Sequence, residues 1–218
     1  MTAPASSADP VNLWSESAWA QRYLRERDDI PHRTEGFAVL MEVLPPTPRR
    51  VLDLGTGDGY ALGLVRGAHP EAEGVGVDFS AEMLGRARER FAGDAGVEIV
   101  EHDLDVPLPA LGTFDLVVSS FAIHHCVDER KRALYGEVFG VLEPGGRFLN
   151  LEHVDSATPE LHVDFLAAIG KTPAEDDPSN KLVAVETQLT WLREIGFVDV
   201  DCYWKWRELA LLAGVKPA

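Results

Sequence analysis

The sequence contains little cysteine. Cys126 and Cys202 are the two cysteines in 218 residues, and they lie far apart and outside any C-x-x-C spacing. Neither a cysteine-based zinc site nor a disulfide scaffold is therefore supported. We expect two buried or partly buried free thiols.

Basic residues are also scarce. Lys and Arg together number 20, against 36 Asp and Glu, which gives a formal net charge of −16. Such a charge balance repels a nucleic acid backbone, because phosphate recognition depends on clustered positive charge. We therefore discount tRNA, rRNA and DNA as substrates.

Long hydrophobic runs are absent. No apolar run approaches the roughly 18 residues that a membrane span requires, and the N-terminus has no basic segment followed by an apolar core. We therefore expect a cytoplasmic protein without a membrane segment. The small, proline-containing start, residues 1–10, is predicted to be disordered. The remainder, 11–218, has the length and the apolar content of one domain.

The most informative segment is 51–59, where an apolar run that includes Asp53 is followed by three alternate glycines. The apolar residues have the bulk of a buried first strand. Gly55, Gly57 and Gly59 allow positive φ and let the backbone approach a ligand closely. This pattern predicts a strand, a nucleotide-binding turn and then a helix whose free N–H groups face the ligand.

Two classes of cofactor are bound by such a turn. Dinucleotide enzymes use G-x-G-x-x-G with a pyrophosphate at the helix N-terminus, but the third glycine of that pattern would stand at Tyr60. The spacing here is G-x-G-x-G. A carboxylate at Asp53 would repel a pyrophosphate and would suit an ammonium group. The turn therefore favours a cationic cofactor without phosphate.

Further elements follow downstream in a definite order. Residues 74–78 form a second predicted strand ending in Asp78, 19 residues after the last glycine of the turn, which is the place of a ribose-binding carboxylate in both cofactor classes. A third predicted strand, 97–100, precedes Asp103, and a fourth apolar run lies within 114–125. In 142–149, Pro-Gly-Gly is predicted to stop a helix before a fifth strand.

With these motifs in this order, the chain resembles the class I S-adenosylmethionine-dependent methyltransferases, whose first motif is an acid followed by G-x-G-x-G. The resemblance implies an α/β fold: a Rossmann-like, doubly wound seven-stranded sheet, mostly parallel with an antiparallel last strand and helices on both faces. It also implies N-terminal cap helices at about 11–44 and a lid-like insertion at about 155–184. Substrate specificity is expected to reside in these two segments.

The resemblance implies S-adenosyl-L-methionine as cofactor and S-adenosyl-L-homocysteine as product. It places Asp53 near the amino acid end of the cofactor, Asp78 at the ribose hydroxyls and Asp103 at the adenine edge. The predicted cofactor-binding residues are Asp53, Gly55, Thr56, Gly57, Gly59, Asp78, Phe79, Met83, Asp103, Leu104 and Ser119.

His124 and His125, which follow the fourth strand, are the candidate catalytic residues. An imidazole with a pKa of about 6.5 accepts a proton from a phenol, an acid or an amine at neutral pH. The alternative is that these histidines only shape the pocket or bond the backbone. The candidate substrate-binding residues are Trp14, Trp19 and Tyr23 on one face of a predicted helix, and Glu152 and His153 at the end of the fifth strand.

No metal site is predicted. His162 and Asp164 are chemically suitable ligands, but their spacing matches no metal-binding pattern. The acidic residues 175–177 are interpreted as a solvated loop.

The acceptor and the oligomeric state are not specified by any residue pattern, and three functions remain open. The leading hypothesis is a methyltransferase that acts on oxygen, nitrogen or carbon of a small molecule. A nicotinamide-dependent oxidoreductase is disfavoured by Tyr60 and by the position of Asp53. The third is a protein that binds S-adenosylmethionine without methyl transfer.

Overall fold

The computed structural model describes Gln21 and residues 30–218. Several predictions concern residues outside this part of the chain: the disordered segment 1–10, most of the first part of the cap helices predicted at about 11–44, and the substrate candidates Trp14, Trp19 and Tyr23. Among the described residues, every helix is too short or too polar to cross a lipid bilayer.

Helices and strands alternate along most of the described chain. The helices are α1 (Arg33–Glu42), α2 (Tyr60–Ala68), α3 (Ala81–Arg90), α4 (Asp128–Val141), α5 (Pro159–Ala168) and α6 (Val185–Ile195). The strands are β1 (Arg50–Leu54), β2 (Glu73–Asp78), β3 (Val97–Glu101), β4 (Phe114–Ser120), β5 (Leu142–His153), β6 (Val198–Trp206) and β7 (Leu209–Val215). Short 3-10 turns lie at Ile123–His125 and Pro173–Glu175.

The strands form one sheet in the order β3-β2-β1-β4-β5-β7-β6. Strand β7 runs antiparallel to both β5 and β6, and the other pairings are parallel. This confirms the predicted α/β fold with an antiparallel last strand. Because β1 pairs with β2 on one side and with β4 on the other, the strand order reverses at β1. Ligand clefts of open α/β sheets form at such a reversal, outside the carboxyl ends of the strands.

The central strands of the sheet are buried on both faces. Leu52 and Leu54 of β1 belong to one apolar cluster together with Leu134 of α4. Val51 points the other way and packs in a second cluster with Leu62 of α2. Successive strand residues face opposite sides of a sheet, so a continuous apolar run is what a strand covered on both faces requires.

The Pro-Gly-Gly motif has a different position from the one predicted. Helix α4 ends at Val141, before the motif, because Leu142 already takes an extended conformation and is buried in the core. The motif instead lies within the first residues of β5, where Gly145 has φ 79°. The pairing of β5 with β4 shifts register there, so the motif interrupts a strand rather than stopping a helix.

Strands β3 and β6 form the two edges of the sheet. The exposed side chains of β6 include Asp199, Asp201 and Lys205, and its pairing with β7 shifts register in two places. Strand β3 exposes Glu98 and Glu101. Both edges therefore carry charged side chains.

Residues 155–184 connect β5 to α6 and pack against the last hairpin of the sheet. Phe165 and Leu166 of α5 form a small apolar cluster with Leu209, at the start of β7. Further along the segment, the backbone N–H of Lys181 donates to the carbonyl of His124 over 2.9 Å. The segment is thus anchored on the sheet and on the turn that follows β4.

Candidate functional site

A cleft with about 830 Å³ of empty space, including the part open to solvent, lies at the reversal point of the sheet. Its walls come from the loop after β1, the ends of β2 and β4, the loop after β3 and helix α1. The predicted site residues that line it are Gly55, Thr56, Gly57, Asp78, Phe79, Met83, Asp103, Leu104 and His125. Ligands of open α/β sheets bind in clefts at this position.

The loop after β1 is tied to the neighbouring strand. The backbone N–H of Thr56 donates to the carbonyl of Val77 over 2.8 Å, and that of Gly57 donates to Asp78 Oδ2 over 2.9 Å. The other carboxylate oxygen, Asp78 Oδ1, accepts from the backbone of Ser80. Burial raises the pKa of Asp78 above its usual value, against the opposing effect of these backbone hydrogen bonds.

Two glycines of this loop are required for different reasons. Gly55 has φ 66°, and a Cβ atom there would lie 2.1 Å from the Cβ of Ala122. Gly57 has φ 57°, but a Cβ there would meet no described atom within 4 Å. Gly55 is therefore fixed by close packing as well as by its conformation, whereas the backbone at Gly57 borders open space in the cleft.

Asp53 does not line the cleft, which differs from the expectation that it contacts the cofactor. It is fully buried and points to the α2 side of β1, where Oδ2 accepts from Thr56 Oγ1 over 2.7 Å and from the backbone of Leu62 over 3.3 Å. Asp53 Oδ1 has no hydrogen-bond partner among the described residues. Burial raises the pKa of Asp53 to about 7. Asp53 supports the glycine loop from beneath.

Ser119 and Gly59 also lie away from the cleft surface. Ser119 Oγ donates to the carbonyl of Leu54 over 2.8 Å, between the strands, and Ser120 lines the cleft instead. Gly59 precedes α2, and a Cβ there would clash with the ring of Phe91. Neighbouring residues of a strand face opposite sides of the sheet. This alternation along β4 could have identified Ser120, rather than Ser119, as the residue that lines the cleft.

The two candidate histidines have different environments. His125 lines the cleft, whereas His124 lies behind it, with Nδ1 2.6 Å from Glu152 Oε1. Burial lowers the pKa of His124 well below its usual value and raises the pKa of Glu152 to about 7. Glu152 is therefore a buried partner of His124 rather than a group on the cleft surface.

His153 also lies outside the cleft. Its Nε2 is 2.9 Å from Glu208 Oε2, and Glu208 Oε1 is 3.0 Å from Nδ1 of His162 on α5. The Glu208 side chain is buried between these two rings. Sequence reasoning missed Glu208, which joins the last hairpin to the segment 155–184.

His162 is engaged in hydrogen bonds, and Asp164 is an exposed residue of α5. Within Gln21 and residues 30–218, no group of three or more His, Cys, Asp or Glu side chains is arranged to hold a metal ion. The two cysteines are free thiols, Cys126 buried and Cys202 partly buried, as predicted.

An aromatic cluster around Arg33 was also missed from the sequence. Arg33, at the start of α1, is buried and lines the cleft together with Tyr60 and Phe121. Its guanidinium carbon lies 5.1 Å and 5.6 Å from the centroids of those two rings, within the range of cation–π contact. These residues are brought together from α1, α2 and the end of β4, and no local motif links them.

Comparison with known sequences identifies methyltransferases as relatives of this chain. Residues 51–146 match a family model described as a methyltransferase domain. The demethylmenaquinone methyltransferase of Clavibacter sepedonicus is 33% identical over 204 residues, which cover 83% of this chain and 79% of that protein. The malonyl-[acyl-carrier protein] O-methyltransferase of Methylococcus capsulatus is 32% identical over 157 residues, 72% of this chain and 54% of that protein. The chain therefore spans about four fifths of the first relative and about half of the second.

Solved structures show the same fold. An O-methyltransferase family protein from Burkholderia thailandensis has a TM-score of 0.70 at 23% identity, over 94% of this chain and 62% of that one. The phosphoethanolamine N-methyltransferase 2 of Haemonchus contortus has a TM-score of 0.71 at 17% identity, over 97% of this chain and 61% of that one. At these identities the likeness concerns the fold alone.

Proposed function

This chain belongs to the class I S-adenosylmethionine-dependent methyltransferases, and from that premise we propose which residues hold the cofactor and where the acceptor enters. Family membership favours methyl transfer to a small molecule over the oxidoreductase alternative. The observation that carries the assignment of the site is the single cleft that gathers the glycine loop, Asp78 and Asp103.

The cleft fits this cofactor in charge and in shape. Its lining contains the carboxylates of Asp78, Asp103 and Asp105, which suit a cationic ligand without phosphate better than a pyrophosphate. The open space at the missing Cβ of Gly57 lets a ligand approach the backbone closely.

Each part of the cofactor has a proposed partner. The Asp78 carboxylate accepts from the ribose hydroxyls, and Asp103 accepts from the adenine amino group. Phe79 and Met83 lie on the two sides of the adenine. The backbone of the loop from Gly55 to Gly57 lies under the amino acid part. Asp53, Gly59 and Ser119 act indirectly, by holding β1, the loop and α2 in place.

The cofactor supplies a methyl group that is already activated. The protein has to align the acceptor, exclude water and remove a proton where the acceptor carries one. We propose that the acceptor enters beside Arg33, Tyr60 and Phe121, and that His125 is the proton acceptor. His124, Glu152 and His153 support this region from behind.

The relatives suggest which acceptors to test first. Their names refer to a demethylated menaquinone, a malonyl group on a carrier protein and, for a Rhodopseudomonas palustris protein 35% identical over 145 residues, trans-aconitate. The last match covers 66% of this chain and 53% of that protein. We propose a panel of a hydroquinone, a carboxylate such as trans-aconitate, a phenol and an amine, with transfer of a labelled methyl group as the readout.

Calorimetry tests the cofactor site without knowledge of the acceptor. The native chain is expected to bind S-adenosyl-L-homocysteine with a Kd on the order of micromolar and to show no measurable binding of NAD. Asp78→Asn removes the charge that strengthens the hydrogen bonds to the ribose, and it is expected to weaken S-adenosyl-L-homocysteine binding about 10-fold to 100-fold.

Glu101→Gln is the matched control. Glu101 pairs with Asp78 in the register of β3 with β2, but it is exposed and does not line the cleft. It makes the same change of charge at the same end of the sheet, and we expect its affinity to equal that of the native chain. Equal loss in both variants, or a preference for NAD, would refute the proposed site.

A further inference from the structure

Ser179 and Asp177, in the segment 155–184, are in contact with the cleft histidine. Ser179 is buried, and its Oγ lies 3.1 Å from His125 Nδ1. The same hydroxyl donates to Asp177 Oδ1 over 2.6 Å, and the backbone N–H of Ser179 donates to the same oxygen over 2.8 Å. Lys181 holds this part of the segment in place, because its Nζ donates to the carbonyl of His125 over 2.5 Å. The interpretation of 175–177 as a solvated loop is therefore wrong for Asp177, which is half-buried and accepts hydrogen bonds from Ser179.

The polarity of this chain of hydrogen bonds defines the tautomer of His125. A serine hydroxyl has one proton, and here the carboxylate of Asp177 accepts it. Ser179 Oγ can then only accept from His125 Nδ1, so Nδ1 carries the ring proton. The backbone carbonyl of Ser179, 3.5 Å from the same nitrogen, is a second and weaker acceptor. The lone pair of the neutral imidazole is consequently on Nε2.

The charges around His125 agree with a neutral ring next to an ionised carboxylate. Burial, followed by the neighbouring His124, lowers the pKa of His125 to about 3, while Asp177 and Glu152 act in the opposite direction. Burial raises the pKa of Asp177, but the hydrogen bonds from Ser179 and the nearby histidines outweigh it and lower that pKa overall. At neutral pH the His125 ring is therefore neutral and the Asp177 carboxyl is ionised.

We propose that Asp177 and Ser179 are positioning residues that fix His125 in the tautomer with its proton on Nδ1, so that Nε2, which is buried at the wall of the cleft, is the proton acceptor of methyl transfer. When the acceptor loses its proton, an N–H bond forms at Nε2, and the electron pair of the broken bond stays on the acceptor atom. The new positive charge on the ring is stabilised by Asp177 through Ser179. The base is thus complete only when the segment 155–184 is docked.

This inference rests on the proposed function and adds an orienting pair contributed by the segment 155–184. The pair is separated from His125 by more than 50 residues in sequence, so it comes together only in the folded chain. The sequence of the segment 155–184 therefore affects catalysis as well as substrate choice.

The primary test is nitrogen-15 NMR spectroscopy of the full chain with isotope-labelled histidine, recorded at neutral pH with and without S-adenosyl-L-homocysteine. We expect the native His125 signals to show a protonated Nδ1 and an unprotonated Nε2. Ser179→Ala removes the hydroxyl acceptor and leaves only the distant backbone carbonyl of residue 179, so its His125 signals are expected to move toward a mixture of tautomers. Ser179→Thr keeps the hydroxyl and is expected to retain the native signals. An unchanged tautomer in Ser179→Ala would overturn the proposal.

Kinetics with any acceptor of the panel that is methylated gives the second readout. Ser179→Ala and Asp177→Asn are expected to lower kcat about 10-fold to 100-fold, within the usual contribution of general base catalysis, while KM for the cofactor stays nearly constant. Asp164→Asn removes a carboxylate from the exposed face of α5 and serves as the control with native kcat. A native kcat in both Ser179→Ala and Asp177→Asn would equally contradict the proposal.

A binding measurement distinguishes failure of the proposed function from failure of the orienting pair. If the native chain fails to bind S-adenosyl-L-homocysteine, the proposed function fails. If it binds and the NMR signals of Ser179→Ala match those of the native chain, the orienting pair alone is refuted. Asp177→Asn keeps an oxygen that accepts from Ser179, so it tests the charge in a variant whose geometry is preserved, even where Ser179→Ala is poorly folded.

Discussion

Replacing Gly55 by alanine is expected to abolish S-adenosyl-L-homocysteine binding and to destabilise the fold by about 2–5 kcal/mol. A left-handed backbone costs a residue with a side chain about 1–2 kcal/mol. The added Cβ would also stand 2.1 Å from the Cβ of Ala122, so the glycine loop or the chain after β4 has to move. Crowding of this kind costs about 1–3 kcal/mol more. Both displaced segments line the cleft, which is why binding is lost together with stability.

Gly57→Ala is the matched control for this prediction. Its φ of 57° is nearly that of Gly55, but no described atom lies within 4 Å of its Cβ position. Its free energy of unfolding should therefore fall by the conformational cost alone, about 1–2 kcal/mol. Its affinity for the cofactor should nevertheless fall, because the methyl group enters space next to the loop that we assign to the ligand.

Urea denaturation and calorimetry of the two variants provide the measurement. The prediction requires that Gly55→Ala be clearly less stable than Gly57→Ala in the absence of ligand. If the two variants are equally stable, the contact with Ala122 is not a constraint on the loop. If Gly57→Ala binds S-adenosyl-L-homocysteine as the native chain does, the ligand does not lie against this part of the backbone.

Glu152→Gln is expected to make the protein more stable at alkaline pH and to leave its stability nearly unchanged at acidic pH. Burial raises the pKa of Glu152 from 4.5 to about 7 in the folded chain, so folding favours the protonated form. The stability that the protonated carboxyl contributes is fully present below about pH 4.5 and is lost as the pH rises through about 7. Since a tenfold change in proton affinity is worth about 1.4 kcal/mol, the loss is about 3 kcal/mol.

The glutamine variant removes this ionisation without removing the contacts. Its amide oxygen can still accept from His124 Nδ1 and from the backbone of His153, as Glu152 Oε1 does. Denaturation at about pH 5 and about pH 8 should therefore show that Glu152→Gln gains stability relative to the native chain between the two pH values. Asp53, whose pKa burial raises to about 7, contributes with the same sign in both chains, whereas the lowered pKa values of His124 and His125 contribute stability that rises with pH in both chains.

Glu101→Gln is again the control, because it changes an exposed carboxylate. Its stability should follow that of the native chain at both pH values. A Glu152→Gln variant with the same dependence as the native chain would show that Glu152 is not the buried acid we describe.

The succession of the strands along the chain and the position of the cleft could be predicted from local sequence. The segment 51–59 combines a buried strand with a glycine turn, and Asp78 ends the next strand, so both belong to the carboxyl edge of a parallel sheet. Hydrophobic runs and glycines carry that information within a few residues. The place of Pro-Gly-Gly was predicted less well, because the burial of Leu142 ends α4 before the proline is reached.

The direction of individual side chains was harder to predict. Asp53 and Ser119 belong to the right strands, but each faces away from the cleft, and the choice between two faces depends on which helix covers which side. The contacts of His125 with Ser179, and of His153 with Glu208, join residues separated by more than 50 positions. Local sequence patterns do not indicate contacts between residues that lie so far apart in the chain.

The charged edges of the sheet have a consequence for behaviour at high concentration. An edge strand with unpaired backbone groups is a template on which another chain can add a strand, and this is a common start of aggregation. On β6, exposed Asp199, Asp201 and Lys205 and two breaks in register oppose such growth, and on β3 Glu98 and Glu101 do so. A concentrated solution of this protein is therefore protected from fibre formation at both ends of its sheet by side chains that take no part in the cleft.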